Sequence, residues 1–301
     1  MFDIFEDESS DFFVPQKLLL VDGSYSMYRS YFGYDVEHFR RDGDCPTNCI
    51  YGIARQIIQL VNTFHPTYWA FVYDLGRANY RMDLMPTYKG GREKTPDELN
   101  QQREPVKEML RLANIPIVEQ ERLEADDIIA TLSKQGREKG WKVKIFSSDK
   151  DMFQLVEEDV TIVRPKFHKS GLEVLDAEYI VNRFGLQPRQ YPDLAALVGE
   201  GADNIPGVPG VGPKTAAKWL QRYDNLDNLL VHADELTGKV GAALREDIEQ
   251  VKLNRKINNL IRDADLNTSL DKLEIKSPNL SSLNNFFIKN QIPSLVDSFK
   301  W

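Results

Sequence analysis

The sequence is poor in the residues that build disulfide frameworks and zinc sites. It contains two cysteines, Cys45 and Cys49, within the segment CPTNC. Two thiols cannot form a network of disulfides, and a zinc site built on them would need several histidines nearby. The four histidines are scattered without a shared spacing, and we interpret them as structural: His38, His65, His168 and His232. The composition therefore excludes a disulfide scaffold and gives no pattern for a zinc centre.

Long hydrophobic runs and a targeting signal are also missing from the sequence. No apolar run approaches the roughly 18 residues that a membrane helix needs. The first residues, MFDIFEDESSDFF, are acidic, whereas a secretory signal peptide begins with positive charge. We therefore expect a cytoplasmic protein with no membrane segment, in which residues 1–16 form an acidic leader.

Positive charge is in short supply as well. The chain has 38 basic and 46 acidic residues, which gives a formal net charge of −8. Binding to phosphate normally needs a basic surface, so this balance argues against a nonspecific nucleic-acid coat protein and leaves room only for a local basic face. A length of 301 residues with 42% hydrophobic content is enough for one α/β domain with a core and a smaller attachment.

Short apolar segments alternate with helical patterns in the first half of the chain. Four segments predict buried strands: KLLLVD ending at Asp22, TYWAFVYD ending at Asp74, IPIV at 115–118, and WKVKIFSSD ending at Asp149. Helical patterns lie between them at 51–63, 97–113 and 124–139. This alternation predicts an α/β fold with a mostly parallel central sheet covered by helices on both faces.

Three of the predicted strands end on aspartate. A single aspartate at the end of a strand usually caps a helix or a turn. In open α/β sheets, however, the functional crevice lies beyond the carboxyl ends of the strands, where residues distant in sequence meet. We therefore expect Asp22, Asp74 and Asp149 to converge at one edge of the sheet.

Further acidic residues occur in three short groups: Glu124, Asp126 and Asp127 in LEADD, Asp149 and Asp151 in SSDKD, and Glu200 and Asp203 in GEGAD. Each group alone can be read as helix caps or solvated charges. On an ideal helix Asp126 points about 100° away from its neighbours, so the LEADD acids would serve two ions, or one ion directly and another through water. Oxygen ligands suit Mg²⁺ or Mn²⁺, and a pair of such ions about 3.5–4 Å apart catalyses phosphodiester cleavage.

Two basic segments are candidates for the local nucleic-acid face. The segment MPTYKGGREK contains Tyr88, Lys89, Arg92 and Lys94. The turn-rich segment GVPGVGPK precedes a helical pattern, with Pro213 suited to a first helical turn. Glycine there lets a phosphate approach backbone N–H groups closely. Read in isolation, each segment is an ordinary solvated loop.

Six ordered motifs carry a resemblance to a known family: VDGS, PTNCIYG, YKGGR, LEADD, SSDKDMFQLV and GADNIPGVPGVGPKTA, across residues 17 to about 265. They resemble the 5′ nucleases, which comprise flap endonucleases, bacteriophage 5′-to-3′ exonucleases and the amino-terminal nuclease domain of bacterial DNA polymerase I. The resemblance implies a PIN-like nuclease core at 17–185 with a helical arch at about 80–113. It further implies a helix-two-turn-helix DNA-binding region at 186–265, followed by a tail at 266–301.

The resemblance also assigns roles to residues. The carboxylates implied around two or three Mg²⁺ or Mn²⁺ ions are Asp22, Asp74, Glu124, Asp126, Asp127, Asp149, Asp151 and Asp203, while Glu200 stands where the family usually has aspartate and its role stays open. Lys89 and Arg92 would hold the scissile phosphate and stabilise its charge, and Tyr88 would stack on a base. The other residues implied in DNA binding are Lys94, Gly210, Gly212, Lys214 and Lys218. In the family, the helix-two-turn-helix region often also holds K⁺ through main-chain carbonyls.

The function implied is metal-dependent hydrolysis of DNA from 5′ ends and at 5′-flap junctions, by in-line attack of metal-activated water, in replication or repair. One alternative is an RNA-primer-removing enzyme or another endoribonuclease on the same acidic site. A second alternative is a DNA-binding clamp without activity, against which the retention of the acids argues. We expect a monomer, and because these 301 residues leave no room for a polymerase domain, a polymerase partner would be a separate protein.

Overall fold

The structure is a computed structural model that describes residues 15–41, 45–76, 79–167 and 170–301. Most of the predicted acidic leader and His168 lie outside these residues. In the described part of the chain, no helix combines the length and the apolar character needed to cross a membrane.

A six-stranded sheet forms the centre of the molecule. The strands of the described residues are β1 (Lys17–Asp22), β2 (Arg40–Arg41), β3 (Cys45–Pro46), β4 (Tyr68–Val72), β5 (Ile117–Val118), β6 (Lys142–Phe146), β7 (Val160–Pro165) and β8 (Leu172–Leu175). The sheet order is β5-β4-β1-β6-β7-β8, and all neighbours are parallel except β8, which runs antiparallel to β7. Strands β2 and β3 pair separately. The predicted, mostly parallel sheet is confirmed.

Alternation along β1 explains why the sheet is covered on both faces. Leu18 and Leu20 pack in one hydrophobic cluster, whereas Leu19 and Val21 pack in the other. Successive side chains of a strand point to opposite faces, so a run of apolar residues is buried on both sides. β1 lies at the centre of the sheet for this reason.

Helices cover both faces and form most of the carboxyl-terminal half. Those of the described residues are α1 (Gly23–Gly33), α2 (Asn48–Phe64), α3 (Tyr80–Leu84), α4 (Asp97–Gln101), α5 (Arg103–Leu112), α6 (Ala125–Glu138), α7 (Ala177–Phe184), α8 (Tyr191–Val198), α9 (Pro213–Tyr223), α10 (Leu226–Val231), α11 (Gly238–Glu246), α12 (Ile248–Asn258) and α13 (Leu280–Lys289). The predicted helices at 51–63 and 124–139 correspond to α2 and α6.

The helical pattern predicted at 97–113 corresponds to two helices, α4 and α5, which are separated by a break at Gln102. Pro105 lacks the N–H group that would bond to the carbonyl of residue 101, so the helical ladder cannot continue there. The buried Gln102 amide instead accepts from the backbone N–H of Cys49 and donates to Asn48 Oδ1, each at 2.8 Å. The break therefore fastens this segment to the start of α2.

The connector between α8 and α9 folds back tightly on α8. A Cβ atom on Gly207 would lie 2.0 Å from the carbonyl oxygen of Val198, so only glycine allows this approach. Gly199, with φ of +78°, faces it across the same contact. Helix α9 begins at Pro213, as the sequence predicts.

The last residues pack against the core, a placement for which their sequence gave no pattern. Phe299 is 1% exposed, and the Trp301 ring lies 5.3 Å from the ring of Trp69 in β4. The Trp301 Nε1–H group donates to the carbonyl of Lys276 at 3.1 Å. The segment from α13 to Trp301 thus completes the hydrophobic layer on one face of the sheet.

Candidate metal centre and nucleic-acid interface

Asp22 is held at the carboxyl edge of the sheet by the elements on either side of it. It ends β1 and caps α1, since its Oδ1 accepts from the backbone N–H of Tyr25 at 2.8 Å. Its Oδ2 accepts from the hydroxyl of Ser147, just after the neighbouring strand β6, also at 2.8 Å. The carboxylate is 6% exposed, so burial and these two donors fix its position.

Asp74 connects the end of β4 to the starts of two helices. Its Oδ2 accepts from the Ser24 hydroxyl at 3.0 Å, and its Oδ1 accepts from the backbone N–H of Ala125 at 2.9 Å. Ala125 is the first residue of α6, between Glu124 and Asp126. The contact therefore brings the second strand-end aspartate to the acidic start of α6.

Asp149 and Asp151 stand at the start of the 3₁₀ helix Lys150–Leu155, after β6. Asp149 Oδ1 accepts from the backbone N–H of Asp151 at 2.9 Å. Burial raises the pKa of Asp151 to about 8, and repulsion from Asp149, Asp203 and Glu200 adds to the rise. The two carboxylates after β6 thus share a negative field with the acids of the segment after α8.

The same field reaches the acids of the other strands. Burial raises the pKa of Asp22 to about 7 against the effect of its two donors, and Asp74 and Asp149 contribute to the rise. Burial also raises the pKa of Asp126 well above its ordinary value, with repulsion from Asp149, Asp22 and Asp74. Acids from β1, β4, α6 and the end of β6 therefore interact electrostatically, as expected for strand ends that converge.

These acids do not form a finished ligand set. Within the described ranges, no three acidic, histidine or cysteine side chains are arranged closely enough to hold an ion. The carboxylates of Asp22, Asp74 and Asp149 accept hydrogen bonds from hydroxyl and backbone donors. Asp22, Asp126 and Asp151 nevertheless offer hard carboxylate oxygens that are repelled by neighbouring acids. A divalent cation would relieve that repulsion, so these side chains fit Mg²⁺ or Mn²⁺.

The raised pKa values predict how the metal-free protein responds to pH. In the folded state Asp22 and Asp151 lose their protons only near pH 7 and 8, whereas in the unfolded state they do so near pH 3.8. The folded state therefore binds more protons across this window, and stability falls as pH rises through it. We expect the melting temperature in EDTA to drop by several degrees between pH 5.5 and 9.

Adding Mg²⁺ at pH 9 is expected to restore most of that drop, and calorimetric melting with and without EDTA measures both effects. In Asp151→Asn the decline in EDTA should be smaller, because one of the repelling charges is gone. A melting temperature in EDTA that stays level or rises from pH 6 to 8.5 would contradict the electrostatic description of the site.

Glu124 is surrounded by positive and hydrogen-bonding groups. The Lys89 Nζ lies 2.6 Å from its Oε1, and the Arg81 guanidinium lies 3.2 Å from its Oε2. Asn79 and the Tyr88 hydroxyl donate to the same carboxylate at 3.0 and 3.1 Å. To bind an ion, Glu124 would have to give up part of this shell.

Asp127, which the resemblance implies as a metal ligand, is paired with Arg81 in this structure. Its two oxygens form a bidentate pair with Arg81 at 2.6 and 2.8 Å, and Oδ1 also accepts from the backbone N–H of Ile261. The side chain is completely buried. Asp127 lies on α6 with its carboxylate committed to Arg81, so it organises the site without facing it.

Arg81 joins three parts of the chain. It belongs to α3, pairs with Asp127 in α6, and donates from Nε to the carbonyl of Ile257 in α12 at 2.8 Å. Its side chain is 2% exposed. Sequence reasoning missed this residue because a single arginine in YRMDLMP has no spacing that indicates a buried partner.

We predict that Asp127→Asn destabilises the protein by about 3 kcal/mol, because the Arg81 charge is left buried and incompletely paired. The double variant Arg81→Met/Asp127→Leu should recover most of this loss, since apolar side chains of similar size can replace a buried ion pair. Denaturant unfolding of both variants and the wild type measures the effect. A single variant as stable as the wild type would show that the pair contributes little.

Tyr88, which the resemblance implies as a base-stacking residue, is buried in this structure. The side chain is 4% exposed, and its hydroxyl is bonded to Glu124. The ring packs in a small cluster with Met85, Ile205 and Ile257. Protein therefore covers the faces of the ring, and the Tyr88 hydroxyl helps to hold the Glu124 carboxylate in place.

The loop that carries the two candidate catalytic cations is docked on the segment after α8. The backbone N–H of Lys89 donates to the Asp203 carbonyl at 2.9 Å, and Arg92 contacts the Asp203 carboxylate at 2.5 Å. The Asn204 amide donates to the carbonyl of Thr87 at 3.0 Å. Lys89 and Arg92 therefore both lie beside acids of the site.

The remaining predicted DNA-binding residues are at the surface. Lys94 is 77% exposed and pairs with Asp97. Lys214 and Lys218 are exposed on α9 one turn apart, and Gly212 caps the start of that helix. Gly210 adopts φ of +79° in the preceding turn. Lys214 and Lys218 therefore form one basic face at the beginning of α9.

Hydroxyl and amide donors around the acids were also missed by sequence reasoning. They are Ser24, Ser147 and Asn79, which donate to Asp74, Asp22 and Glu124. Ser24 lies two residues after Asp22, and Ser147 lies two residues before Asp149. The rule that places functional side chains at strand ends, which found the aspartates, would also have found these serines if it had been applied to all polar side chains.

Comparisons with known proteins agree on one family. A family model described as "5′-3′ exonuclease, N-terminal resolvase-like domain" matches residues 17–185, and one described as "5′-3′ exonuclease, C-terminal SAM fold" matches residues 186–281. The 5′-3′ exonuclease of Aquifex aeolicus is 38% identical over 279 residues, which are 93% of this chain and 93% of that protein. DNA polymerase I of Mycobacterium bovis is 40% identical over 259 residues, which are 86% of this chain but only 29% of the polymerase.

Solved structures share the fold. A bacteriophage T5 flap endonuclease, crystallised in a pseudo-enzyme-product complex with DNA and metal ions, has a TM-score of 0.66 at 20% identity and covers 93% of this chain and 100% of its own. The catalytic core of Rad2, in complex with DNA substrate, has a TM-score of 0.59 at 22% identity, with coverage of 94% and 92%. The sheet and the helical region after it are arranged as in these proteins.

Proposed function

The chain belongs to the 5′-3′ exonuclease family, and we propose that it is a metal-dependent 5′ nuclease that hydrolyses DNA from 5′ ends and at 5′-flap junctions. The observation that carries the proposal is the shared negative field of acids from β1, β4, α6 and the end of β6. A buried cluster of like charges is unfavourable for folding and is retained where cations bind.

We assign the ion-binding role to Asp22, Asp74, Asp126, Asp149, Asp151 and Asp203, with Glu124 joining once Lys89 withdraws, and the number of Mg²⁺ or Mn²⁺ ions as two or three. A bound divalent ion supplies Lewis acidity, which lowers the pKa of the attacking water and offsets charge on the leaving oxygen. Lys89 lies beside Glu124 and Arg92 beside Asp203, so both would be placed to hold a substrate phosphate next to the acids.

The duplex part of the substrate is assigned to the start of α9. Lys214 and Lys218 offer two positive charges on one face, and they lie at the start of the helix, where its dipole is positive. K⁺ bound by main-chain carbonyls of this connector is part of the proposal. We also propose that the chain divides into a core at 17–185 with an arch at about 80–113, a DNA-binding region at 186–265 and a tail at 266–301. We further propose that the protein is a monomer, is cytoplasmic and cooperates with a polymerase.

A cleavage assay tests the function. A 5′-flap duplex and a blunt duplex, each labelled at the 5′ or the 3′ end, are incubated with Mg²⁺ or with EDTA. We expect 5′-labelled products from both substrates, with Mg²⁺ only. A matching flap made of RNA tests the alternative, because faster cleavage of RNA would identify a primer-removing enzyme. DNA binding without cleavage under all conditions would identify an inactive clamp.

The two acids after α8 are expected to contribute unequally. Glutamate is one methylene longer than aspartate, and Mg²⁺ tolerates little displacement from a ligand distance of about 2.1 Å. We predict that Asp203→Ala reduces Mg²⁺-dependent cleavage far more than Glu200→Ala and that Glu200→Asp is tolerated. Rates measured against Mg²⁺ concentration decide this, since a Glu200→Ala enzyme as inactive as Asp203→Ala would make Glu200 a direct ligand.

A further inference from the structure

A second positively charged site is lined by residues other than the acids of the candidate metal centre. Three basic side chains from three segments, Lys134 in α6, Lys256 in α12 and Arg262 after it, line a cavity of about 410 Å³. Tyr80, Asn259 and Asp263 complete what we name the basic cleft. In a chain with a net charge of −8, three cations against one carboxylate are an exception that needs a reason.

Two of the three cations are available to a ligand. Arg262 is committed to Glu157 at 3.1 Å and to the carbonyl of Gln154. Lys134, in contrast, has an ion pair only with Glu138, at a long 3.9 Å, and Lys256 has no ion-pair partner among the described residues. The cleft thus offers two weakly compensated ammonium groups beside a fixed guanidinium.

The walls of the basic cleft are tied to the acidic site. The backbone N–H of Ile261 donates to Asp127 Oδ1 at 2.9 Å, and Arg81 lies over the ring of Tyr80 at 4.7 Å. Lys134 follows Glu124 by ten residues, which places it about 15 Å along α6 at 1.5 Å per residue. Phosphates of one DNA strand succeed each other at about 3.4 Å along the helix axis, so a few nucleotides bridge that distance.

We propose that the basic cleft binds a backbone phosphate of the DNA substrate, at a few nucleotides from the bond that is cut. This proposal rests on the proposed function and adds to it a DNA contact apart from Lys89, Arg92 and α9. The ligand is a phosphodiester, because the lining offers cations and polar groups. The alternative is that Lys256 only stabilises the negative carboxyl-terminal end of the α12 dipole and binds no ligand.

The test measures DNA affinity without cleavage. Fluorescence anisotropy in EDTA gives the dissociation constant for a 5′-flap duplex at several KCl concentrations, for the wild type and for Lys134→Ala/Lys256→Ala. Each lost phosphate contact makes the logarithmic salt dependence shallower by about 0.9 for duplex DNA. We expect the salt dependence of the double variant to be shallower than that of the wild type by an amount that corresponds to one or two lost contacts. We also expect the double variant to bind DNA more weakly at low salt.

The control is Lys139→Ala/Lys252→Ala, which removes the same charge next to α6 and from α12. Lys139 and Lys252 are exposed, outside the cleft and paired with Asp271 and Glu249. This variant should keep the wild-type slope, and so should Lys134→Arg/Lys256→Arg, which retains both charges. Equal slopes for the cleft variant and the control would overturn the proposal.

Further substrates identify the strand and the ligand. A loss of slope with the flap but not with the blunt duplex supports contact with the 5′ strand, and a loss with both supports contact with the duplex. Wild-type DNA slopes in the cleft variant, combined with lost stabilisation by inorganic phosphate in melting experiments, would mean a small phosphate ligand and overturn the DNA assignment. The assay contains no metal and measures only binding. Its result can therefore be interpreted even if the protein proves unable to cleave DNA.

Discussion

Asp151→Asn is expected to lower single-turnover cleavage of a 5′-flap duplex by about 10³-fold at saturating Mg²⁺, the loss typical of removing a main source of transition-state stabilisation. Asp151 lies among Asp149, Asp203 and Glu200, whose repulsion contributes to the rise in its pKa. An amide keeps the shape of the side chain but removes the charge that a divalent ion requires. DNA affinity should stay equal or become tighter, since repulsion of the phosphates decreases.

A second measurement separates this effect from a loss of folding. If Asp151 is one of several crowded acids, Asp151→Asn should raise the melting temperature of the metal-free protein at pH 9 while it lowers activity. Asp227→Asn is the matched control, because Asp227 is exposed on α10 and far from the acids in the chain. Wild-type cleavage by Asp151→Asn at saturating Mg²⁺ would remove Asp151 from the site.

The sheet and the strand-end acids could be predicted because they follow from short-range rules. A run such as KLLLVD is apolar on both faces, so it becomes a central parallel strand, and its final aspartate reaches the carboxyl edge. Asp22, Asp74 and Asp149 needed no knowledge of distant partners. Their residue type and position already determine which edge of the sheet they occupy.

Long-range pairings could not be predicted in the same way. Asp127 lies in LEADD beside two acids of the site, yet its partner Arg81 is 46 residues earlier, and only the docking of α3 on α6 brings them together. Tyr88 looked like a loop aromatic but is buried against Glu124. In both cases the sequence pattern indicated a polar group exposed to solvent. In the fold, that group is buried and bonded to a residue from another segment.

Lys89, to which we assign contact with the substrate phosphate, is held in a fixed place by its backbone. Its backbone has φ of 56°, a left-handed conformation that is uncommon outside glycine, and its N–H group is fixed to Asp203. Burial lowers the pKa of its ammonium group, but Glu124 and Asp126 raise it by more, so the pKa lies above its ordinary value. The group is therefore charged at any pH used for cleavage.

We predict that Lys89→Ala reduces single-turnover cleavage by about 10²–10³-fold with little change in DNA affinity, because the positive group that we assign to the reacting phosphate is lost. Lys214→Ala should do the reverse. Its rate at saturating DNA should match the wild type, while affinity falls and the salt dependence becomes shallower by about 0.9, as for one phosphate contact. Single-turnover rates and anisotropy titrations on the same flap substrate measure both quantities.

Lys89→Arg distinguishes charge from position, since arginine keeps the positive charge but replaces a compact ammonium with a planar guanidinium. Lys89 Nζ reaches Glu124 Oε1 at 2.6 Å in a closely packed setting, so we expect the arginine variant to recover only part of the rate. Full recovery would mean that a positive charge anywhere near Glu124 is sufficient. If Lys89→Ala and Lys214→Ala changed rate and affinity in the same proportion, the division between a phosphate-activating residue and a duplex-binding residue would fail, because both lysines would then act only by holding DNA.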